Sequence, residues 1–277
     1  MNIGALIIIR DGGAEIAEKF KSLSEMGLFH CQLNWWNHDI MTEENAELVK
    51  EASKKYGVEV TALWCGYTGE CRWNFTEGPH TIGIVPDRHR EIRVRELKRG
   101  ADFAKMIGVR DIITHLGFIP EVPTTTEYYQ VVCAVKDIAE YMKNNDQRFL
   151  FETGQETPVT LRRLIEDVGT GNCGINFDPA NLILYGKANP VDAIDTFGEF
   201  IYNTHLKDGL YPTDGRELGK EVILGEGKVN YPALVKGLKD CGYKGPYIIE
   251  REVEGDEWYE GIKHAIELLK KIDKEIN

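Results

Sequence analysis

Short apolar runs alternate with longer amphipathic stretches along the whole chain. The runs, such as "IGALIII" at 3–9 and "RFLFE" at 148–152, are nearly continuous in apolar residues, which is typical of strands buried on both faces. The stretches between them carry apolar residues at helical spacing. "TEEN" at 42–45 and "TPVT" at 157–160 are typical of helix N-terminal caps. The pattern therefore predicts an alternation of strands and helices.

The alternation amounts to eight strand–helix units, which predicts α/β architecture with a single (β/α)8 TIM barrel over residues 1–277. A doubly wound parallel sheet is the alternative, but no glycine-rich phosphate loop follows the first strand. The N-terminal "MNIGALIIIRDGG" lacks a basic segment before its apolar run and a small-residue cleavage site after it. We interpret it as the first buried strand.

Composition narrows the class of partner. The chain has a formal net charge of −12, and nucleic-acid binding needs a basic surface, so we expect no nucleic-acid partner. No stretch approaches the roughly 20 consecutive apolar residues of a membrane span, so we expect no membrane partner. The six cysteines are scattered without a CxxC pair, which is typical of a reducing compartment. We therefore expect a cytoplasmic protein with a small-molecule substrate.

Four polar residues stand where the last four barrel strands end: Glu152, Asp178, His205 and Glu250. Chemistry in a (β/α)8 barrel lies at this end of the strands. Without compensation the three carboxylates would repel one another, and one divalent cation removes that conflict. The ligand set favours Mn²⁺ first, with Mg²⁺, Co²⁺ or Zn²⁺ as alternatives. The simpler interpretation is that each residue caps a helix or pairs with a basic side chain.

A metal beside two glutamates favours proton removal next to a carbonyl group. Glu152 and Glu250 flank the predicted cluster, so they could address opposite faces of a substrate as an acid/base pair. Return of the proton to the same carbon gives epimerisation, and return to the adjacent carbon gives isomerisation. Departure of a β-hydroxyl gives dehydration instead. The residues alone do not choose among these outcomes.

Four segments resemble the xylose isomerase-like TIM-barrel superfamily, and more closely its sugar phosphate isomerase/epimerase branch of ketose 3-epimerases and inosose dehydratases. They are "FLFETGQE", "NFDPANL", "THLKDG" and "LGEGKVNYPALVKGLKDCGYKGPYIIERE". The resemblance implies that Glu152, Asp178, His205 and Glu250 bind one divalent metal. It implies isomerisation or epimerisation of a keto-sugar or related polyol through a metal-stabilised cis-enediolate, with a lyase reaction as the alternative. It also implies a homo-oligomer.

The chain departs from the ketose 3-epimerase pattern in two places. Asn181 stands where those enzymes carry a histidine. Lys207 and Asp208 follow the strand-seven histidine, where those enzymes have an Asn-Asn-Arg pattern. This arrangement is nearer to that of inosose dehydratases. Arg216 is the candidate for the contact that the family's arginine makes.

Further residues are expected to contact the substrate: His115, Glu156, Lys207, Asp208, Trp64 and Arg216. Trp64 is selected from four tryptophans near the ends of strands two and three, since aromatic faces suit the C–H faces of sugars. Cys31 and Gln32 are mid-strand and are expected to fill the barrel. The long connection at 65–87 is expected to close over the site.

Two other functions remain as alternatives. A DNA-repair nuclease of the endonuclease IV type uses a histidine-rich cluster of three metals, and this acidic chain has only seven histidines. A non-catalytic sugar-binding barrel would bind sugar equally well after treatment with a chelator. We expect an enzyme.

Overall fold

The computed structural model describes residues 1–276 of the chain. In chain order, its strands and helices are β1 Ile3–Ile9, α1 Ala14–Glu25, β2 His30–Trp35, α2 Glu43–Tyr56, β3 Glu59–Cys65, α3 Gly78–Thr81, α4 Asp87–Ile107, β4 Asp111–Thr114, α5 Thr126–Asn144, β5 Arg148–Glu152, α6 Pro158–Val168, β6 Cys173–Phe177, α7 Pro179–Leu184, α8 Pro190–Phe197, β7 Ile201–Leu206, β8 Asp208–Leu210, β9 Lys220–Val222, α9 Tyr231–Asp240, β10 Tyr247–Ile249 and α10 Gly255–Ile276. None of these helices has the length and apolar character needed to cross a membrane.

Eight parallel strands close into a barrel in the order β1-β10-β7-β6-β5-β4-β3-β2. The first and last strands complete the ring, with Ile3 opposite Tyr247 and Ala5 opposite Ile249. This confirms the predicted (β/α)8 barrel. Within the connection after β7, the short strands β8 and β9 pair antiparallel.

Hydrogen-bonding side chains begin several helices, as the sequence predicted. The hydroxyl of Thr42 accepts the N–H of Asn45 at the start of α2, and the hydroxyl of Thr157 accepts the N–H of Thr160 at the start of α6. The predicted caps are therefore confirmed. Asp178 also begins a helix, the short α7, which the sequence pattern did not predict.

The apolar core has two parts. A large cluster packs the outer face of the barrel against the helices, and a small cluster of Ala62, Trp64, Ile113 and Leu150 lies apart from it. Three buried amide side chains lie together with this interior layer, those of Gln32, Asn176 and Asn203. Their hydrogen bonds to one another offset the cost of burying polar groups.

The long connection between β3 and α4 is anchored to α4. Arg93 is fully buried and donates hydrogen bonds to the carbonyl groups of Thr68, Thr81 and Gly83. Its guanidinium group also stacks over the ring of Tyr67, 4.2 Å from the centroid. These contacts hold the segment in one place, and closure of the segment over the site stays a prediction.

Candidate metal and substrate site

The barrel brings the four predicted ligands together. Glu152 is the last residue of β5, Asp178 follows β6, His205 lies near the end of β7, and Glu250 follows β10. Each offers one ligand atom, and these atoms all lie within 4.8 Å of one another. His205 Nδ1 lies 3.0 Å from Glu152 Oε1 and 3.2 Å from Glu250 Oε2. All four residues are buried.

A buried lysine neutralises part of this acidic cluster. Lys207 Nζ lies 3.1 Å from Asp178 Oδ2, 2.9 Å from Glu250 Oε2 and 2.7 Å from Glu252 Oε1. Burial acts to lower the pKa of Lys207, but these carboxylates outweigh it and raise the pKa well above the usual value. Lys207 is therefore an ammonium ion that steadies the carboxylates.

The surroundings of the three carboxylates shift their pKa values in different directions. Burial acts to raise the pKa of Glu250, yet Lys207 and His205 outweigh it and bring the pKa well below the usual value. The pKa of Glu152 is likewise lowered against the effect of burial, by His115 and His205. Asp178 differs, since burial outweighs Lys207 and raises its pKa well above the usual value. Glu152 and Glu250 thus stay charged at neutral pH.

His205 is held as a cation by the same neighbours. Burial lowers its pKa, and the carboxylates of Glu250 and Glu152 more than reverse this and raise the pKa to about 10. A divalent cation in the cluster would take over the role of this proton, because a metal-binding imidazole must present an unprotonated nitrogen.

The donor set fits a divalent cation. Asp178 Oδ2 and Glu250 Oε2 both face Lys207, but neither accepts a well-directed hydrogen bond within residues 1–276. Three carboxylates and one imidazole converge, which suits Mg²⁺, Mn²⁺ or Co²⁺ and is compatible with Zn²⁺. Glu152, Asp178, His205 and Glu250 could therefore hold a metal ion.

The second oxygen of Glu152 faces aromatic neighbours. The indole N–H of Trp64 donates a hydrogen bond to Glu152 Oε2, and His115 Nε2 lies 3.7 Å from the same oxygen. Glu152 Oε1 instead faces His205 and accepts a 3.3 Å hydrogen bond from Asn181 Nδ2. Burial lowers the pKa of His115, against the opposing effect of the Glu152 carboxylate. Both oxygens of Glu152 are therefore positioned by named partners.

A cavity of about 610 Å³ opens at this end of the barrel. Its volume is in the range of roughly 300–1,000 Å³ that is usual for small-molecule sites. Glu152, Glu250, Trp64 and His115 line it, as do Trp36, Trp73 and Tyr185.

Trp36, Trp64 and Trp73 form what we call the aromatic wall. The ring centroids of Trp36 and Trp64 are 5.1 Å apart, and His115 lies 5.3 Å from Trp73. Gly66 makes the wall possible, because a Cβ atom at this position would overlap the ring of Trp36.

Two predicted substrate contacts lie outside the cavity lining. Glu156 is buried, its Oε1 has no hydrogen-bond partner within the described part of the chain, and burial raises its pKa to about 8. Arg216 is exposed, and its carbonyl group accepts the N–H of Phe75. Contact of Glu156 and Arg216 with a substrate therefore stays a prediction.

Lys207 and Asp208 are also absent from the lining. Asp208 is buried, and its carboxylate accepts the backbone N–H groups of Gly225, Gly227 and Val229. A Cβ atom on Gly227 would overlap Asp208 Oδ1, so glycine is required for this close approach. Asp208 therefore organises the connection that leads to α9.

Sequence reasoning missed several residues of the site. Trp36 and Trp73 lie near strand ends in the sequence, but a tryptophan that packs in the core occurs at the same kind of position. The sequence alone therefore does not distinguish a site tryptophan from a core tryptophan. Tyr185 follows α7, and that helix was not predicted. Gln32 was expected only to fill the barrel, and its contact with His205 depends on distant parts of the chain.

Comparison with known proteins agrees with this geometry. Residues 20–272 match the family described as "Xylose isomerase-like TIM barrel". This chain belongs to that family. The crystal structure of a xylose isomerase domain protein from Planctomyces limnophilus is similar over nearly the whole chain. It is 33% identical, with a TM-score of 0.91 over 99% of this chain and 98% of that one.

Less similar proteins match this chain as well. An uncharacterized protein of Methanocaldococcus jannaschii is 24% identical over 178 residues, 60% of this chain, and the match spans 59% of that relative's length. The 3-keto-D-glucoside 4-epimerase of E. coli is 16% identical, with a TM-score of 0.72 over 98% of this chain and 99% of that one. Proteins with this fold thus include epimerases, and a probable 3-DHS dehydratase shares it as well. These likenesses establish the fold alone.

Proposed function

We propose that this protein is a divalent-metal-dependent isomerase or epimerase of an unphosphorylated keto-sugar or related polyol. In this proposal the reaction passes through a cis-enediolate, with Glu152 and Glu250 as the acid/base pair. One observation carries the proposal. Both carboxylates line the cavity, and both lie against His205 Nδ1, at 3.0 and 3.2 Å.

Both glutamates have the protonation state that proton removal needs. Each has a lowered pKa and is charged at neutral pH, so either can accept a proton from a carbon next to a carbonyl group. Lys207 and Trp64 keep the carboxylates in position. A divalent cation held by the cluster would supply Lewis-acid stabilisation of the enediolate charge. The glutamate that took the proton can return it at the adjacent carbon, which gives isomerisation. For epimerisation the other glutamate takes up a proton from solvent and delivers it on the opposite face, while the first releases its proton to water.

The charges around the cavity favour an uncharged substrate. Four carboxylates line it, those of Glu152, Glu250, Glu252 and Glu254. Two of the cationic side chains in the lining are already paired. Arg10 is paired with Glu254, and Arg251 with Glu221. A phosphate group would enter a field of like charge. The aromatic wall offers the apolar faces on which the C–H faces of a sugar ring stack.

Proton exchange in D₂O tests the proposal. The Mn²⁺-loaded protein is incubated with a panel of neutral ketoses, and the spectra are followed by proton NMR. We expect the proton on the carbon next to the carbonyl group to be lost, a new epimer or isomer to appear, and no water to be eliminated. Exchange that continues unchanged after removal of the metal with a chelator would contradict the proposal.

Elimination on the same site is the second candidate. The "HLKDG" sequence that includes His205 resembles the inosose dehydratase arrangement, and this favours a lyase reaction if a leaving group stands on the β-carbon. The D₂O experiment distinguishes the two reactions, because elimination gives an unsaturated product with loss of water or of an aglycone.

A further inference from the structure

Gln32 links the metal-binding histidine to the interior of the barrel. It lies within β2 and is fully buried. Its Oε1 lies 2.6 Å from His205 Nε2, on the side of the imidazole ring away from the carboxylates. Its Nε2 donates hydrogen bonds to Asn203 Oδ1 at 2.8 Å and to Asn176 Oδ1 at 3.0 Å.

The backbone determines which way the Gln32 amide points. The N–H of Thr204 donates to Asn203 Oδ1 at 3.1 Å, and a backbone N–H can only donate, so this atom of Asn203 must be the oxygen. The Gln32 atom that meets the same oxygen must then be the amide nitrogen. The other atom of the same amide group, Gln32 Oε1, then faces His205.

An amide oxygen accepts hydrogen bonds and cannot donate them. His205 Nε2 must therefore carry a proton to make its 2.6 Å contact with Gln32 Oε1. The other ring nitrogen, Nδ1, lies 3.0 Å from Glu152 Oε1, among the predicted metal ligands. A metal-binding histidine commonly donates its second N–H to a nearby acceptor, which sets the tautomer and the ring orientation.

We infer that Gln32 is a positioning residue, which keeps the proton of His205 on Nε2 and so presents Nδ1 to a divalent cation. The inference rests on the metal site of the proposed function and is independent of the reaction. Replacement of such an outer partner typically weakens metal binding by about 10–100-fold. None of the four predicted ligands lies on β2. Through Gln32, this strand nevertheless affects the affinity of the site for a cation.

The tautomer can be observed directly with Zn²⁺, which is diamagnetic. The protein is labelled with ¹⁵N-histidine, loaded with Zn²⁺ and studied by long-range ¹H–¹⁵N NMR, with the His205 resonances assigned by their loss in His205→Asn. We expect the proton on Nε2 and the metal on Nδ1. A proton on Nδ1 with the metal on Nε2 would overturn the inference, and this result needs no substitution of Gln32.

Two variants of Gln32 separate the role of the acceptor from that of packing. Gln32→Met keeps the length of the side chain and removes the acceptor, so we expect Zn²⁺ affinity to fall by about 10–100-fold. Gln32→Glu restores an acceptor, and Asn176 Nδ2, which has no hydrogen-bond partner within residues 1–276, can turn toward the new carboxylate. We expect Gln32→Glu to bind Zn²⁺ more tightly than Gln32→Met.

Thr61→Val is the matched control. Thr61 on β3 donates a 3.0 Å hydrogen bond to the carbonyl group of Cys31, so the variant also loses a hydrogen bond between β2 and β3 without touching His205. We expect its Zn²⁺ affinity, measured by competition with a chromophoric chelator, to match the wild type. Equal affinities for Gln32→Met and Thr61→Val would overturn the inference. A protein that binds Zn²⁺ as expected but exchanges no sugar proton would contradict only the proposed function.

Discussion

The mouth of the barrel has two unlike halves. The charged half is built from the ends of β5, β6, β7 and β10 and holds the carboxylates, His205 and Lys207. The aromatic half is built from the ends of β2 and β3 and the segment that follows β3, and it holds the aromatic wall. The same cavity therefore joins a side suited to proton transfer with a side suited to binding an apolar surface.

The difference lies in how each half is held. In the charged half the side chains determine one another's pKa values, so removal of one group changes the charge of its neighbours. In the aromatic half the rings are placed by packing, with Trp36 against Gly66. Within residues 1–276, the side chains of Trp64 and Gln32 reach the charged half by hydrogen bonds, to Glu152 and His205. Substitutions in the charged half should therefore have the larger effects.

The largest effect is expected from Glu250→Gln. The amide cannot accept a proton as the carboxylate does, and general acid–base groups typically contribute about 10²–10⁴-fold to rate. The rate of sugar proton exchange in D₂O should fall by that amount. Trp64→Phe in the aromatic half is the comparison, since it keeps a ring and loses only the N–H donor to Glu152. Equal losses in the two variants would contradict the division of roles.

The next effect concerns the cation. Asp178→Asn removes a ligand, so metal affinity measured by calorimetry should fall by at least about 100-fold, the upper limit for an outer partner. Glu156→Gln is the control for burial, because Glu156 is an equally buried acid that lies outside the cavity lining. We expect its metal affinity to stay at the wild-type value. A similar fall in both variants would show that burial of an acid, and not ligation, is what the measurement reports.

Metal affinity should also depend on pH in a known direction. The pKa of His205 is raised to about 10, so its imidazole is protonated at pH 6–8 and a cation must displace one proton. Apparent affinity should therefore increase with pH, by up to about tenfold per pH unit for each proton displaced. Titrations at pH 6, 7 and 8 measure this slope, and Trp64→Phe should leave it unchanged. A flat profile would show that the cation does not replace a proton in the charged half.

The charged half was accessible from the sequence, whereas in the aromatic half the sequence selected Trp64 alone. Glu152, Asp178, His205 and Glu250 each end an apolar run, and a charged group at the end of a buried strand needs a compensating partner such as a cation. A tryptophan such as Trp36 does not stand out from an apolar strand as a charged residue does, because apolar residues are expected on both faces of the sheet.

The parts of the fold that the pattern missed depend on distant contacts. The helix α7 begins at Asp178 and is short, so its apolar residues gave no helical period. The position of Asp208 depends on the glycine-containing segment at 225–229, which folds around its carboxylate. Likewise, the connection at 65–87 was expected to be a lid, and the buried guanidinium of Arg93 that anchors it lies outside that segment.

The smallest effect is expected from Trp73→Ala in the aromatic wall. Trp73 is 41% exposed, so its loss should cost little stability, and it lines the cavity beside His115. Aromatic contacts contribute about 0.5–1.5 kcal/mol beyond area burial, so sugar affinity should weaken by roughly 2–10-fold while metal affinity stays constant. Phe29→Ala is the matched control, because Phe29 is 52% exposed and precedes β2, at the opposite end of the barrel. If both variants bound the sugar as tightly as the wild type, the aromatic half would be a wall without a part in recognition. The charged half alone would then have to select the substrate.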